Sequence, residues 1–376
     1  MKRRFVRVMS STVLAGVMVF SMGMSAWATT TDALEEVTST EFTKAITTDG
    51  HTYAPNTKFE FVIKNGEAVK EKDIKAGVEG GLTVNYRNIT FDPATDTFSN
   101  NGYSKKGELS VVVTNDTFQA PGVYHYTIKE TIPETSYSGI EYDKRVYDVY
   151  VTILNTAKND GLYCAGIRTP KLDDDGNPVL DSEGKMVKAD SLVFTNDYGA
   201  ANDSTHDVTI AKKVTGNQAD MNQAFDFVII VNADKTGEIF KYEKNDAAIT
   251  TGSIAGDGKS EVTVSLMNGE AVTIYGLTDG DVVDVHEKDI YASAEYGYKV
   301  TREFTEGVEM VDGNEDTNGF IAKITKDSSK VEIENNKNVG AATGLALTFG
   351  PYVLMVGLAG VFAVMFLRKK NGIDEI

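Results

Sequence analysis

The 376-residue chain carries 55 acidic against 37 basic side chains, for a net charge of −18, which argues against nucleic acid and anionic membrane surfaces as partners. Its one cysteine, Cys164, excludes an intramolecular disulfide. The length allows two domains of ordinary size.

In chain order, the first predicted element is an export signal. Lys2, Arg3, Arg4 and Arg7 give a basic start, Val13 to Phe20 an apolar stretch, and Ala26-Trp27-Ala28 a small-x-small cleavage site. Residues 1–28 are therefore expected to be a signal peptide of the Sec pathway. A retained N-terminal anchor is the alternative. Exported proteins often rely on disulfides, so a chain without them needs some other protection.

The middle of the chain reads as all-β. Phe59-Glu60-Phe61-Val62-Ile63, Ser110-Val111-Val112-Val113 and Val146-Tyr147-Asp148-Val149-Tyr150-Val151 are short, β-rich and alternating, and clusters of Gly, Asn and Asp separate such runs. The pattern predicts two tandem antiparallel β-sandwich domains, over residues 29–199 and 200–338.

Three patterns occur twice in the same order. An apolar-x-Lys-x-apolar run appears as Phe42-Thr43-Lys44-Ala45-Ile46 and as Ile210-Ala211-Lys212-Lys213-Val214. A run ending in Glu appears as Tyr126 to Glu130 and as Val283 to Glu287, and a run ending in Asn as Leu192 to Asn196 and as Val331 to Asn335. Side chains at i and i+2 share a face of a strand. Each half thus places one Lys, one Glu and one Asn where its apolar neighbours point. Lys and Glu are rarely buried unless paired. A buried salt bridge with a neighbouring amide is the plainer reading of each triplet, and the repetition in order weighs against it.

The last element is an apolar run from Leu345 to Leu367, closed by Arg368-Lys369-Lys370. About 20 apolar residues cross a bilayer, and the basic stop places this end in the cytoplasm. Just before it stands Gly340-Ala341-Ala342-Thr343-Gly344. Thr-Gly, apolar span and basic tail resemble the cell-wall sorting signal of Gram-positive sortase substrates, which are cut between Thr and Gly. The Leu and Pro of the usual Leu-Pro-x-Thr-Gly have no counterpart here. Residues 339–376 are expected to be this signal, with a plain membrane anchor as the alternative.

The duplicated triplets, Pro121-Gly122-Val123-Tyr124, and Ala346 to Tyr352 after the sorting motif resemble the major (backbone) pilins of group A streptococci and their relatives. The likeness covers nearly the whole chain. It implies Ig-like (Cna B-type) domains, each closed by a spontaneous Lys–Asn isopeptide bond assisted by a Glu, which in its protonated form can donate a hydrogen bond to the Asn carboxamide oxygen. The implied pairs are Lys44 with Asn196, assisted by Glu130, and Lys212 with Asn335, assisted by Glu287. It further implies a cell-surface pilus anchored to the wall and built as a covalent homopolymer by sortase. Peptidoglycan and minor pilins are the other implied partners. Cleavage would fall between Thr343 and Gly344. The accepting amine would be Lys188, eight positions before Asn196, with Lys185 as runner-up. Such a protein reacts once with itself and is not an enzyme. A monomeric wall-anchored adhesin or a minor pilin is the alternative within the same resemblance.

Other signals carry little. His51, His125, His206 and His286 have no metal-ligand spacing, and Asp173 to Asn177 fails the calcium-loop pattern because Pro178 stands where that loop needs Gly. No phosphate-binding glycine loop or nucleophile elbow is present, so no cofactor and no metal are expected.

Overall fold

The structure is a computed structural model that describes residues 36–338, apart from 71–72, 86–87, 174–175, 185, 201–203, 246–248, 289–296 and 312–317, together with 352–365. The export signal, Thr343, Gly344 and Lys185 lie outside the described residues. Residues 352–365 form a helix, and among the described residues no helix is long and apolar enough to cross a membrane.

Strands account for nearly all the regular structure. The first set is β1 (Ser39–Thr47), β2 (Thr57–Asn65), β3 (Ile74–Ala76), β4 (Leu82–Asn85), β5 (Asn88–Phe91), β6 (Gly102–Val111), β7 (Gly122–Thr131), β8 (Ile140–Glu141), β9 (Val146–Asn155), β10 (Leu162–Arg168) and β11 (Leu192–Tyr198). One sheet runs β4-β6-β1-β11-β8. The other runs β10-β9-β7-β2-β5, with β3 added against β7. The second set is β12 (His206–Thr215), β13 (Phe225–Asn232), β14 (Ile239–Asn245), β15 (Thr250–Ala255), β16 (Val262–Leu266), β17 (Ala271–Leu277), β18 (Val282–Glu287), β19 (Lys299–Phe304), β20 (Val308–Met310), β21 (Gly319–Ile324) and β22 (Ser329–Asn336). Its sheets run β15-β14-β17-β12-β22-β19 and β16-β13-β18-β21-β20.

Each pair of sheets encloses its own apolar core. The strands alternate because one face meets that core and the other meets water. In the first core Phe42, Phe61 and Phe194 pack edge to face or tilted, with ring centroids 4.8–5.8 Å apart. Burying such a side chain stabilises the fold by roughly 1.5–3 kcal/mol. Gly107 lies opposite Phe42 in the β1–β6 ladder, and a Cβ there would stand 2.3 Å from the ring. Glycine at that place lets the ring lie flat on the neighbouring strand.

The position of the first and last strands bears most on function. β1 pairs with β11 in parallel, and β12 pairs with β22 in parallel. Each sandwich therefore begins and ends on two neighbouring strands that run the same way. A pull on its two chain ends loads that pair in shear.

The two sandwiches meet through side chains. Asn56 Nδ2 donates to Thr236 O at 2.9 Å, Ser204 Oγ donates to Gly139 O at 2.7 Å, and His51 stacks on Tyr275 with centroids 4.5 Å apart. At the centre the Tyr137 hydroxyl donates to Glu238 Oε1. Glu238 is buried and its Oε2 has no partner among the described residues. Burial, reinforced by Asp281, pushes the Glu238 carboxyl up to about 7. An acid whose folded value is raised is stabilised in its protonated form. Its share of the docked state's stability is fully present below about pH 4.5 and is lost as pH rises to about 7. Glu238→Gln should therefore match wild type near pH 4.5 and exceed it at pH 8, by up to about 3 kcal/mol. Thermal unfolding of both proteins across that range checks this, and a stability difference independent of pH would refute it.

Candidate functional site

Lys44 sits at the middle of β1 among Phe42 and Ile46, and it is fully buried. Alternation forces this, since Phe42, Lys44 and Ile46 share the inward face. Asn196 is on the adjacent strand β11, also fully buried. In the parallel register Lys44 stands opposite Phe194 and Ile46 opposite Asn196. Glu130 comes from β7 in the facing sheet and reaches across the core. Lys44 Nζ donates to Glu130 Oε2 at 2.8 Å, and Asn196 Nδ2 donates to Glu130 Oε1 at 2.7 Å. One carboxylate thus holds the amine and the amide nitrogen side by side.

The second sandwich repeats the arrangement. Lys212 on β12 stands opposite Ile333, and Val214 opposite Asn335, which is the same two-residue offset. Lys212 Nζ donates to Glu287 Oε2 at 2.7 Å, and Asn335 Nδ2 donates to Glu287 Oε1 at 2.7 Å. Glu287 reaches from β18 in the facing sheet, and all three side chains are buried. The structure therefore brings together both sequence-predicted triplets, each as two neighbouring strands and one strand opposite.

Aromatic rings keep water from both clusters. Lys44 Nζ lies 4.7 Å from the centroid of Phe59, and Lys212 Nζ lies 4.2 Å from that of Phe225. Desolvation lowers Lys44 to about 8 against the opposing pull of Glu130, and it lowers Lys212 to about 8 against that of Glu287. Burial also raises the Glu130 carboxyl. In the first cluster both shifts favour passing the proton from amine to carboxylate, leaving a neutral amine beside a neutral acid.

Two features depart from the sequence reading. That reading implies a Glu that hydrogen-bonds the amide oxygen. The structure instead puts Glu130 and Glu287 on the amide nitrogens. In the first sandwich the oxygen is held elsewhere, because the backbone N–H of Asp143 donates to Asn196 Oδ1 at 2.8 Å. Only an oxygen can accept that bond, so the amide cannot be turned around. The second departure is Asp143 itself, which sequence reasoning missed. Its only local signal is Asp-Lys-Arg between two strands, an ordinary turn composition.

Lys188 is exposed and belongs to neither cluster. It lies on the excursion between β10 and β11, where it bridges to Pro170. Among the described residues no group of His, Cys, Asp and Glu could hold a metal ion.

The buried pairs make a stability prediction that does not depend on any reaction. Glu130→Ala leaves Lys44 buried and unpaired, whereas Lys44→Met with Glu130→Leu removes both charges and keeps the volume. Neither variant retains the assisted triplet. The single variant should be less stable than the double by about 3–5 kcal/mol, measured by chemical denaturation. Equal stability would mean that the amine does not depend on the carboxylate.

The chain is similar to known proteins over most of its length. A family described as a Spy0128-like isopeptide containing domain matches residues 40–199, and a family described as a domain of unknown function matches residues 206–337. A pilin of Streptococcus pyogenes serotype M1 is 27% identical over 330 residues, covering 84% of this chain and 86% of that protein. The pilus tip adhesin Cpa of Streptococcus pyogenes is 25% identical over 273 residues, which cover 65% of this chain but only 35% of the adhesin. The crystal structure of the major pilin from Streptococcus pyogenes superposes with a TM-score of 0.55 at 23% identity, over 80% of this chain and 99% of that one. The T3.2 major pilin of the same species gives 0.53 at 21% identity, over 81% and 99%. At these identities the structural likenesses establish the fold. Residues 40–199 thus match the Spy0128-like isopeptide containing domain family, and over most of its length the chain is similar to streptococcal pilins in sequence and in fold.

Proposed function

We propose that this protein is the backbone subunit of a cell-surface pilus, hardened by one spontaneous Lys–Asn cross-link in each sandwich. The observation that carries the reading is the duplicated cluster, in which one buried carboxylate touches both a lysine amine and an asparagine amide nitrogen.

The chemistry follows from that contact. An ammonium has no lone pair, so Lys44 first passes a proton to Glu130, which desolvation makes easier. The neutral Nζ attacks Cγ of Asn196, and the fold supplies the proximity that a bimolecular reaction lacks. Glu130 then gives its proton to Nδ2 and takes another from Nζ as the Cγ–Nδ2 bond breaks. One ammonia leaves and one amide bond forms. Glu287 performs the same transfers between Lys212 and Asn335. Each cluster reacts once, so the protein is its own substrate and does not turn over.

The cross-links would join β1 to β11 and β12 to β22. Load entering on the first strand of a sandwich would pass to the last through a covalent bond, leaving the other strands nearly unstressed. In the chain-entropy model so long a closed loop stabilises a domain by about 5 kcal/mol. The kinetic effect is larger, because a linked domain cannot be drawn fully open to proteases.

Assembly rests on the sequence motifs and on the similarity to pilins. The chain would leave the cell through the Sec pathway with residues 1–28 removed. Sortase would cut between Thr343 and Gly344 and join the Thr343 carboxyl to Lys188 of an identical subunit. The last transfer would go to peptidoglycan, and minor pilins would share the fibre. A wall-anchored adhesin built from the same domains is the second reading, favoured by the similarity to the tip adhesin. That relative is nearly three times longer than the matched region, which leaves most of its length without a counterpart here.

The purified two-sandwich fragment should weigh less than its sequence by two ammonia molecules. Glu130→Ala and Glu287→Ala should each restore one and lower resistance to heat and protease. Intact-mass spectrometry checks this, and full sequence mass in the unaltered protein would overturn the cross-link reading.

Assembly is tested in a sortase-bearing host. Wall extracts should give a ladder on a denaturing gel, with peptides ending at Thr343, and Lys188→Ala should collapse the ladder. A single band from the unaltered protein would favour the adhesin reading. A ladder that persists in Lys188→Ala would reassign the acceptor.

A further inference from the structure

The two clusters match at the carboxylate and differ at the amide oxygen. Asn196 Oδ1 accepts the Asp143 N–H at 2.8 Å. Asn335 Oδ1 is buried and has no hydrogen-bond partner among the described residues.

The cause lies in the strand that edges the last strand of each sandwich. In the second, β19 runs along β22 without interruption, pairing Lys299 with Asn336, Val300 with Asn335 and on to Phe304 with Val331. Its backbone is committed to the ladder. In the first, β8 pairs only Ile140 with Tyr198 and Glu141 with Asp197. The chain then leaves the ladder beside Asn196, and the freed N–H of Asp143 turns to the amide oxygen.

The Asp143 carboxylate fixes this departure. Its Oδ1 accepts from Arg145 N at 3.0 Å and Arg145 Nε at 2.9 Å, and its Oδ2 accepts from Arg145 Nη2 at 2.6 Å. Oδ2 also accepts from the Thr195 N–H at 3.0 Å, on the residue just before the reacting asparagine. Asp143 is only 6% exposed. Burial works against its charge, but the bonds from Arg145 and Thr195 outweigh it and hold the carboxyl below its ordinary range. The turn is therefore braced against β11 at the point where the reaction would occur.

We propose that the Asp143 N–H is an oxyanion donor for the Lys44–Asn196 reaction and that its carboxylate is the positioning group for that donor. When Nζ attacks Cγ, negative charge develops on Oδ1, and a preoriented donor in a desolvated site stabilises it. The same bond pins Nδ2 toward Glu130, which must protonate the leaving nitrogen. The Lys212–Asn335 cluster has no matching donor among the described residues. The first link accordingly forms faster than the second. This deepens the cross-link reading and rests on it.

The test follows both links in the full chain. Protein made in a cell-free reaction is sampled over time, quenched in denaturant, digested, and scored for the Lys44–Asn196 and Lys212–Asn335 peptides. In the unaltered chain the first link should lead the second by at least about tenfold, since one such donor is worth about 10²–10³ in rate. Asp143→Pro, which has no N–H, should slow the first link about 10²-fold and leave the second unchanged. Asp143→Ala keeps the N–H but loosens the turn and should fall between. Asp143→Asn keeps the N–H and one acceptor oxygen but replaces the other with an amide nitrogen that cannot accept from Arg145 or Thr195. Its rate should lie between those of Asp143→Ala and the unaltered chain, a graded ranking that a general packing defect would not give.

Absence of both links in the unaltered chain defeats the cross-link reading itself. Presence of both, with no lead for the first and no loss in Asp143→Pro, defeats only the oxyanion assignment. Should Asp143→Pro fail to fold by circular dichroism, the lead in the unaltered chain and the ranking of the Ala and Asn variants decide. Equal rates across those three proteins would overturn the proposal.

Discussion

A lysine and a glutamate buried face to face between two sheets constrain almost everything else in each sandwich. Taking either charge out of water costs several kcal/mol, and their attraction offsets that only with close geometry and with the remaining oxygen satisfied. Lys44 and Glu130 meet the condition at 2.8 Å, and the second carboxylate oxygen is taken by Asn196. The sheet spacing, the rings over the amine and the register of β1 on β11 are all held to that contact. Desolvation has two consequences here. It makes an unpaired partner intolerable, and it brings the amine and the carboxyl toward the neutral forms that amide chemistry requires.

The shared geometry of the two clusters comes from topology. Parallel pairing of first and last strands puts Lys and Asn on one sheet with a two-residue offset, and the third strand of the motif crosses to the facing sheet. Nothing in that scheme specifies the far side of the amide. The edge strand decides it. A two-residue β8 leaves a backbone donor for Asn196, whereas beside the six-residue β19 on β22 Asn335 Oδ1 has no donor among the described residues. Two copies of one scheme thus carry different electrostatic surroundings at the corresponding amide oxygen.

Between the sandwiches the physics is of another kind. The cores are separate, and the joint is made from hydrogen bonds, a stacked pair of rings and a buried carboxyl that hydrogen-bonds a tyrosine. Each sandwich pairs its first strand with its last in parallel, whereas the joint holds one carboxyl, Glu238, that burial raises to about 7. A response to acidity through Glu238 is thereby placed where the two sandwiches meet.

The sequence alone determined the face on which each key residue lies. Alternation of period two put Lys44, Glu130, Asn196, Lys212, Glu287 and Asn335 inward, and the repetition of three patterns in order marked two similar domains of β-sandwich type. That much is local, because side-chain direction along a strand follows from the pleat. Period two is silent about which strands become neighbours. The parallel pairing of β1 with β11, the crossing of Glu130 from the facing sheet and the meeting of Tyr137 with Glu238 all join residues distant in the chain, and only folding sets them. The orientation of the Asn196 amide belongs to the same class. Sequence reasoning gave Glu130 the amide oxygen because it counted only the triplet. The structure gives that oxygen to Asp143 because a strand ends early and leaves a backbone N–H that must find an acceptor.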